Sequence, residues 1–176
     1  MKYLLIFFIF WVSTLQIKSQ YLKNLTGQPL SDEVLQIVLY NTKGEKTSMG
    51  DVLEKLKGSI VYIDIWASWC KACILESEYT KEIQKDYKDK KIAFLFLSSD
   101  TDYKQWLKGL SVINLDGNHY RIDPENKKTI QNFFKIRGIP YYILLTDQGN
   151  IYDAKAPWPH IQKMRNELDM LLSISK

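Results

Sequence analysis

Residues 66–73 read WASWCKAC and carry both cysteines of the chain, Cys70 and Cys73, with two residues between them. The preceding Ile60–Trp66 (IVYIDIW) is apolar on both alternating faces apart from Asp64, the pattern of a strand covered on both sides in a parallel or mixed sheet. After the pair the period changes. Leu75, Tyr79, Ile83 and Tyr87 fall four apart on one helical face, while Lys81, Gln84, Lys85 and Lys88 point elsewhere. A strand that turns within a few residues into a helix, with the cysteines at the turn, is the start of a β–α unit in an α/β fold.

Three chemistries suit such a pair. Structural zinc wants four ligands, usually as two paired sets, and the chain adds only His119 and His160, in no recognisable metal-binding spacing. A structural disulfide across two intervening residues closes a very short loop, the case that chain entropy credits least. Redox exchange has a positive mechanism. Helical periodicity beginning right after the pair places Cys70 at a helix N-terminus, where unpaired N–H groups and the positive end of the dipole favour a thiolate. Lys71 adds a cation beside it, and C-x-x-C thiols titrate below the unperturbed value of about 8.5. On this reading Cys70 is the nucleophile. Cys73, one turn into the helix, attacks the mixed disulfide and releases the partner.

Asp64 has a plain reading and a functional one. An aspartate at a frayed strand end bonds a nearby amide, whereas one in a buried strand costs several kcal/mol or stays protonated. The functional reading makes it a proton acceptor beneath the pair that activates Cys73 during resolution.

Elsewhere strands alternate with helices. Residues 34–39 form a strand candidate, residues 41–44 a turn, and Ser48 with Asp51 resembles a helix-start box for a short helix stopped by Gly58. Residues 92–97 (IAFLFL) are a second buried strand. A helix capped by Asp100 or Thr101 then runs through Trp106 and Leu107 and ends at Gly109. Residues 111–123 are the least readable part, with a short strand around Tyr120 to Ile122. Pro124 opens a helix with Ile130, Phe133 and Phe134 on its apolar face. Residues 141–145 (YYILL) are a strand, residues 147–150 a hairpin turn and residues 151–154 the returning strand. Pro157 and Pro159 introduce a last amphipathic helix through Ile161, Met164, Leu168 and Leu171. The class is α/β with a mixed sheet. One domain is expected over residues 34–176, after a polar, unpacked lead-in over residues 20–33 marked by Gly27 and Pro29.

At 176 residues, 45% hydrophobic and 25% charged, the chain is long enough to bury a core without crosslinks. Of its 24 Lys and Arg, Lys2 and Lys18 fall in a candidate leader, which leaves 22 against 20 acidic residues. That near balance gives no footprint for nucleic acid or an anionic surface. The leader carries a basic Lys2, an unbroken apolar run over residues 4–12 and a polar stretch reaching the small Ser19. Residues 1–19 read as a secretory signal peptide cleaved after Ser19, the alternative being an uncleaved anchor. The apolar run is shorter than the roughly 20 residues of a membrane-spanning helix. No cysteine follows it to carry a lipid. The expected compartment lies outside the cytosol, where disulfides persist.

Residues 64–73 (DIWASWCKAC) resemble the active-site segment of the thioredoxin superfamily, in which an acidic residue stands six positions before the first cysteine of W-C-x-x-C. Residues 135–140 (KIRGIP) are similar to that family's segment before its cis-proline, which a strand and a glycine turn follow. With the leader, an N-terminal extension around Val34 to Gly58 and the extra segment at 111–123, the resemblance covers residues 34–172. It is to the TlpA-like or ResA-like branch, the exported thiol:disulfide oxidoreductases of bacteria. The resemblance implies a thioredoxin-like fold, a central mixed β-sheet flanked by helices with an N-terminal β extension and an insertion. It also implies roles: Cys70 attacks, Cys73 resolves, Asp64 is the buried acid and Pro140 is a cis-proline facing the redox-active disulfide. The backbone of Ile139 would pair with an extended partner segment, Trp66 and Trp69 would wall the site, and Lys71 and Ala72 would lie on the partner-facing surface. Two departures stand out. Lys71-Ala72 occupies positions where Gly-Pro, or a proline second, is usual, and Glu78 stands where a helix-kinking proline is common, which implies a straighter helix. Asp116, Asp123 and Glu125 are equal candidates for an acid that some relatives carry in the extra segment.

The expected function is an exported thiol:disulfide oxidoreductase working as a reductant. Its partners would be proteins bearing thiols or disulfides, and a membrane or periplasmic redox donor would recharge it. No metal, no nucleic acid and no cofactor beyond the Cys70–Cys73 disulfide are expected. The chain is expected to be a periplasmic or otherwise extracytoplasmic monomer, tethered to a membrane only if the leader stays uncleaved. Two alternatives use the same fold. A peroxiredoxin-like peroxide reductase is disfavoured because Trp69, not a T-x-x-C setting, precedes Cys70. A non-catalytic thiol- or copper-binding module would want a His or Met ligand near the pair, and His119, His160, Met49, Met164 and Met170 all lie outside the motif.

Overall fold

The structure, a computed structural model, describes residue 16 and residues 19–175. The signal-peptide or anchor expectation for residues 1–19 therefore lies almost wholly outside the described residues. Residues 19–25 are helical (α1), followed by α2 (Asp32–Leu35), β1 (Val38–Tyr40), β2 (Lys46–Ser48) and α3 (Met49–Lys55). Next come β3 (Ile60–Trp66), α4 (Lys71–Asp86), β4 (Ile92–Ser98), α5 (Tyr103–Ile113) and β5 (Asn118–Ile122). The chain finishes with α6 (Lys127–Phe133), β6 (Tyr141–Leu145), β7 (Ile151–Ala156) and α7 (Gln162–Ile174).

The strands form one seven-stranded mixed sheet in the order β2-β1-β5-β4-β3-β6-β7. Strands β3, β4 and β5 run parallel; β1, β6 and β7 pair antiparallel with their neighbours. Every residue of β3 is buried, because helices cover both faces of the sheet and no polar face is needed. Strand alternation then divides its side chains. Val61, Ile63 and Ile65 join one apolar cluster with Leu95, Leu97, Ile143 and Leu145. Ile60, Tyr62 and Trp66 join the other, with Ile83 of α4, Trp106 of α5 and Met164, Leu168 and Leu171 of α7. Asp64 has the parity of this second set, which puts it on the face that α4 covers.

Several local expectations hold. Ser48 and Asp51 form a reciprocal capping box at α3, and Gly149 takes the positive φ of 82° that the turn before β7 requires. Others do not. The strand expected over residues 34–39 is short: Ser31 accepts the Val34 N–H and starts α2, Val34 is buried from that helical turn, and pairing begins only at Val38. The lead-in packs as well. Gly27 donates to the Ile151 carbonyl and Ile151 to that of Gln28, drawing Leu30 into the core while Leu22 and Leu25 pack against it. Helix α5 is capped by Asp102, not Asp100 or Thr101, and continues past Gly109 to Asn114, whose left-handed φ of 42° ends it. Helix α6 begins three residues after Pro124, at Lys127.

The largest correction concerns α4. Its buried residues are Cys73, Glu76, Ser77, Thr80 and Ile83, so the helix is rolled away from the expected Leu75–Tyr79 face. Leu75 and Tyr79 point outward. The helix runs unbroken past Glu78, which pairs with Lys81 on the surface.

Candidate active site

Strand β3, in the interior of the sheet, ends at Trp66, and four residues later Cys70 caps α4. A helix N-terminus leaves its first N–H groups without partners in the helix. One of them, on Cys73, donates to the Cys70 sulfur at 3.1 Å. Cys70 and Cys73 form a disulfide, with 5.2 Å between their Cα atoms. Both are buried, Cys70 at 7% exposure slightly less so than Cys73 at 3%.

The connection between strand and helix is pinned from behind. Asp100, buried just after β4, accepts the Ser68 N–H at 2.9 Å, the Ser68 hydroxyl at 2.7 Å and the Ser98 hydroxyl at 2.7 Å. Helix α5 presses on the same residue: a Cβ on Gly109 would lie 2.6 Å from the Ser68 Cβ, so only glycine fits there.

Beneath the pair, Asp64 is buried and its Oδ1 has no hydrogen-bond partner. Burial raises its pKa well above the ordinary carboxyl range, and the nearby Glu76 charge pushes the same way. Tyr142 of β6 stands opposite Asp64 in the ladder, its hydroxyl buried without a partner, and burial likewise raises its pKa. Glu76, one turn below Cys73, is buried and held by His160: the imidazole Nδ1 lies 2.6 Å from Oε1, and the His160 N–H donates to Oε2 at 3.3 Å. Tyr62 and Thr80 pair their hydroxyls alongside at 3.5 Å.

The β6 side of the site is built by register. Tyr141 pairs with Ile65, so the start of β6 lies beside the end of β3, and the Ile139–Pro140 peptide bond entering it is cis. Ile139 packs against both apolar clusters. The two tryptophans part company: Trp66 is buried in the core, while Trp69 is 65% exposed. Lys71 is exposed and Ala72 half-buried at the start of α4. Of the three candidate acids of the extra segment, Asp123 accepts from the Tyr40 hydroxyl, Asp116 lies in the loop before β5 and Glu125 is exposed in the turn before α6. Among the described residues no three His, Cys, Asp or Glu side chains gather as a metal cluster.

A sequence profile of the family described as Thioredoxin-like matches residues 58–151, which span the pair, Asp64 and the cis-proline. The chain belongs to the thioredoxin-like family. Its curated relatives include the thioredoxin-like protein YneN of Bacillus subtilis, 28% identical over 152 residues that cover 85% of each chain. The thiol-disulfide oxidoreductase ResA of Bacillus thuringiensis is 24% identical over 70% of this chain and 68% of its own. A crystal structure from Bacteroides vulgatus, assigned as a thiol-disulfide oxidoreductase, superposes with a TM-score of 0.69 at 32% identity, covering 84% of this chain and 97% of that one. The seven-stranded sheet flanked by helices is thus the thioredoxin-like architecture, and the chain is a thiol-disulfide oxidoreductase of the TlpA/ResA type. Thiol- or disulfide-bearing proteins are the partners this family implies.

The site roles of Asp100, Gly109, Glu76 and His160 are not visible in the sequence, which offered Asp100 as a helix cap, Gly109 as a helix end and His160 only as a possible metal ligand. Glu76 had a signal, since it lies three residues beyond Cys73 and must share that residue's helix face. The other three act across tertiary contacts and carry no local mark.

Proposed function

We propose that the protein is an exported reductant of protein disulfides. The observation that carries this reading is the Cys70 sulfur at the N-cap of α4, receiving the Cys73 N–H at 3.1 Å, where a thiolate is favoured over a thiol. The Cys70 thiolate attacks a partner disulfide, forms a mixed disulfide and expels one partner sulfur as thiolate. Cys73 then passes its proton to Asp64 and attacks the Cys70 sulfur. The mixed disulfide breaks, the Cys70–Cys73 bond forms, the second partner thiolate leaves, and the pair has given up two electrons. Asp64 accepts that proton in its ionised form: the raised pKa gives the carboxylate a high proton affinity, and its free Oδ1 leaves an oxygen to receive the proton.

Ile139 and Pro140, which lead into β6 beside the end of β3, support a partner segment lying there, with Trp69, Lys71 and Ala72 next to it. The reading needs no cofactor beyond the cysteine pair. Export rests on the leader-like residues 1–19 and on the extracytoplasmic location typical of ResA-like relatives, and the protein is read as a monomer. Among the described residues no helix is long and apolar enough to cross a membrane.

Insulin reduction by the protein, with Cys70→Ser and Cys73→Ser as controls, tests the reading. Activity is expected only in the unaltered protein, and equal activity in all three overturns it. Direction is read from the reduction potential against glutathione. A reductant is expected near thioredoxin's value of about −270 mV, and a value near the roughly −120 mV of DsbA would reverse the assignment.

A further inference from the structure

Helix α4 buries polar residues and exposes apolar ones. Glu76, Ser77 and Thr80 face the core, while Leu75 is 69% and Tyr79 42% exposed. Burying a large apolar side chain stabilises by about 1.5–3 kcal/mol, so the outward pair forgoes that gain. A single exposed apolar residue needs no explanation, but these two are not alone. The Tyr79 ring lies 5.7 Å from that of His160, and Trp158, 41% exposed, meets the same imidazole edge-on at 5.9 Å. Trp69 stands exposed immediately before Cys70. An apolar strip therefore starts at the reactive cysteine and continues along α4 to an aromatic group shared with the loop before α7.

We propose that this strip docks the partner polypeptide and selects partners with a bulky apolar side chain three or four residues from the cysteine being exchanged. The proposal rests on the protein-disulfide reading above and names the partner chemistry of that same site. The occupant follows from continuity and length. Trp69 precedes Cys70, and Ala72, Leu75 and Tyr79 follow at helical spacings of three and four with the exposed Lys71 beside them, so a chain bonded to Cys70 is already seated at one end. Helix rise of about 1.5 Å per residue puts Tyr79 roughly 12 Å beyond Lys71 along the axis. An extended partner advances about 3.3 Å per residue, so it covers that distance in three to four residues. The strip is also in place before a partner arrives, because Glu76 holds the His160 backbone and ring and so fixes the loop bearing Trp158. Glu78 and Lys81 on the same helix pair with each other at 2.7 Å, which leaves the apolar side chains as what this stretch offers a partner.

The test compares two peptide disulfides of otherwise identical sequence, one with Phe and one with Ser four residues to either side of the cysteine. Each is reduced by the protein and by its Leu75→Ser/Tyr79→Ser variant, whose altered side chains point into solvent. The kcat/KM ratio between peptides is expected to be about ten in favour of Phe for the protein and close to one for the variant. A purely structural effect would lower both rates and leave the ratio unmoved. Equal rates on both peptides by the unaltered protein, or a preference that survives in the variant, overturns the proposal while leaving the functional reading intact. Absence of turnover on both peptides and on insulin removes the functional reading and this one with it. Self-association in sedimentation that the double substitution abolishes would assign the strip to a second copy of the chain and overturn the proposal.

Discussion

The imidazole Nδ1 of His160 meets the Glu76 carboxylate at 2.6 Å, fastening the loop before the last helix to the helix that carries the cysteines. The two residues are 84 positions apart, and Glu76 is buried while His160 is partly exposed. Removing His160 therefore leaves a buried carboxylate short of partners, at a cost of about 1–3 kcal/mol. His160→Ala is expected to lower the free energy of unfolding by about 2 kcal/mol in a urea titration. A loss below about 0.5 kcal/mol, the usual range for surface substitutions, would mean the contact is dispensable.

Asp64 makes stability depend on pH with a defined sign. Its folded pKa lies above the unfolded value, so the stability the protonated carboxyl contributes is complete below about pH 3.9 and is lost as pH rises toward the folded value. Asp64→Asn removes the dependence. The variant is expected to gain on the parent progressively above pH 4 in urea titrations, while resolution of a trapped mixed disulfide slows by about 10²-fold. A gap that narrows as pH rises would contradict the sign.

Asp100 holds the loop before Cys70 through two donors on Ser68 and is itself held to the end of β4 by the Ser98 hydroxyl. Asp100→Ala leaves Ser68 and Ser98 without their acceptor in a buried place and is expected to cost about 3 kcal/mol. Asp100→Asn keeps an acceptor oxygen and should cost less. The Ser68 amide resonance would report the loop directly, and an unshifted signal in Asp100→Ala would argue against the pin.

Gly109 sets two effects against each other. Alanine improves a helix interior by about 1 kcal/mol, but here its Cβ would sit 2.6 Å from the Ser68 Cβ, and forced overpacking costs about 1–3 kcal/mol. The contact is expected to win, with Gly109→Ala losing about 1–2 kcal/mol in thermal or urea unfolding. A more stable variant would show that the loop yields freely.

Legibility in the sequence followed the range of the forces involved. The β3 run, the Ser48–Asp51 box and the Gly149 turn were readable because each depends on residues within a few positions. The strand read at Val34 failed because Ser31 offers a competing helix cap, a local alternative that hydrophobicity does not register. Gly109 read as a helix stop because its other meaning, a close approach to Ser68, involves a loop 41 positions away.

By itself the sequence determined the strand–cysteine–helix turn, the α/β class and the pairing of Cys70 with Cys73 chemistry, since propensity, capping and period act between near neighbours. The roll of α4 came from packing across the chain. Ile83 fits either the Leu75–Tyr79 row or the Cys73–Glu76–Thr80 row, so the period leaves the choice open. The disulfide, the sheet beneath and His160 across the chain together favour the second, because they satisfy Glu76 and Thr80 inside. That choice turned an expected core face into the exposed strip beside the redox site.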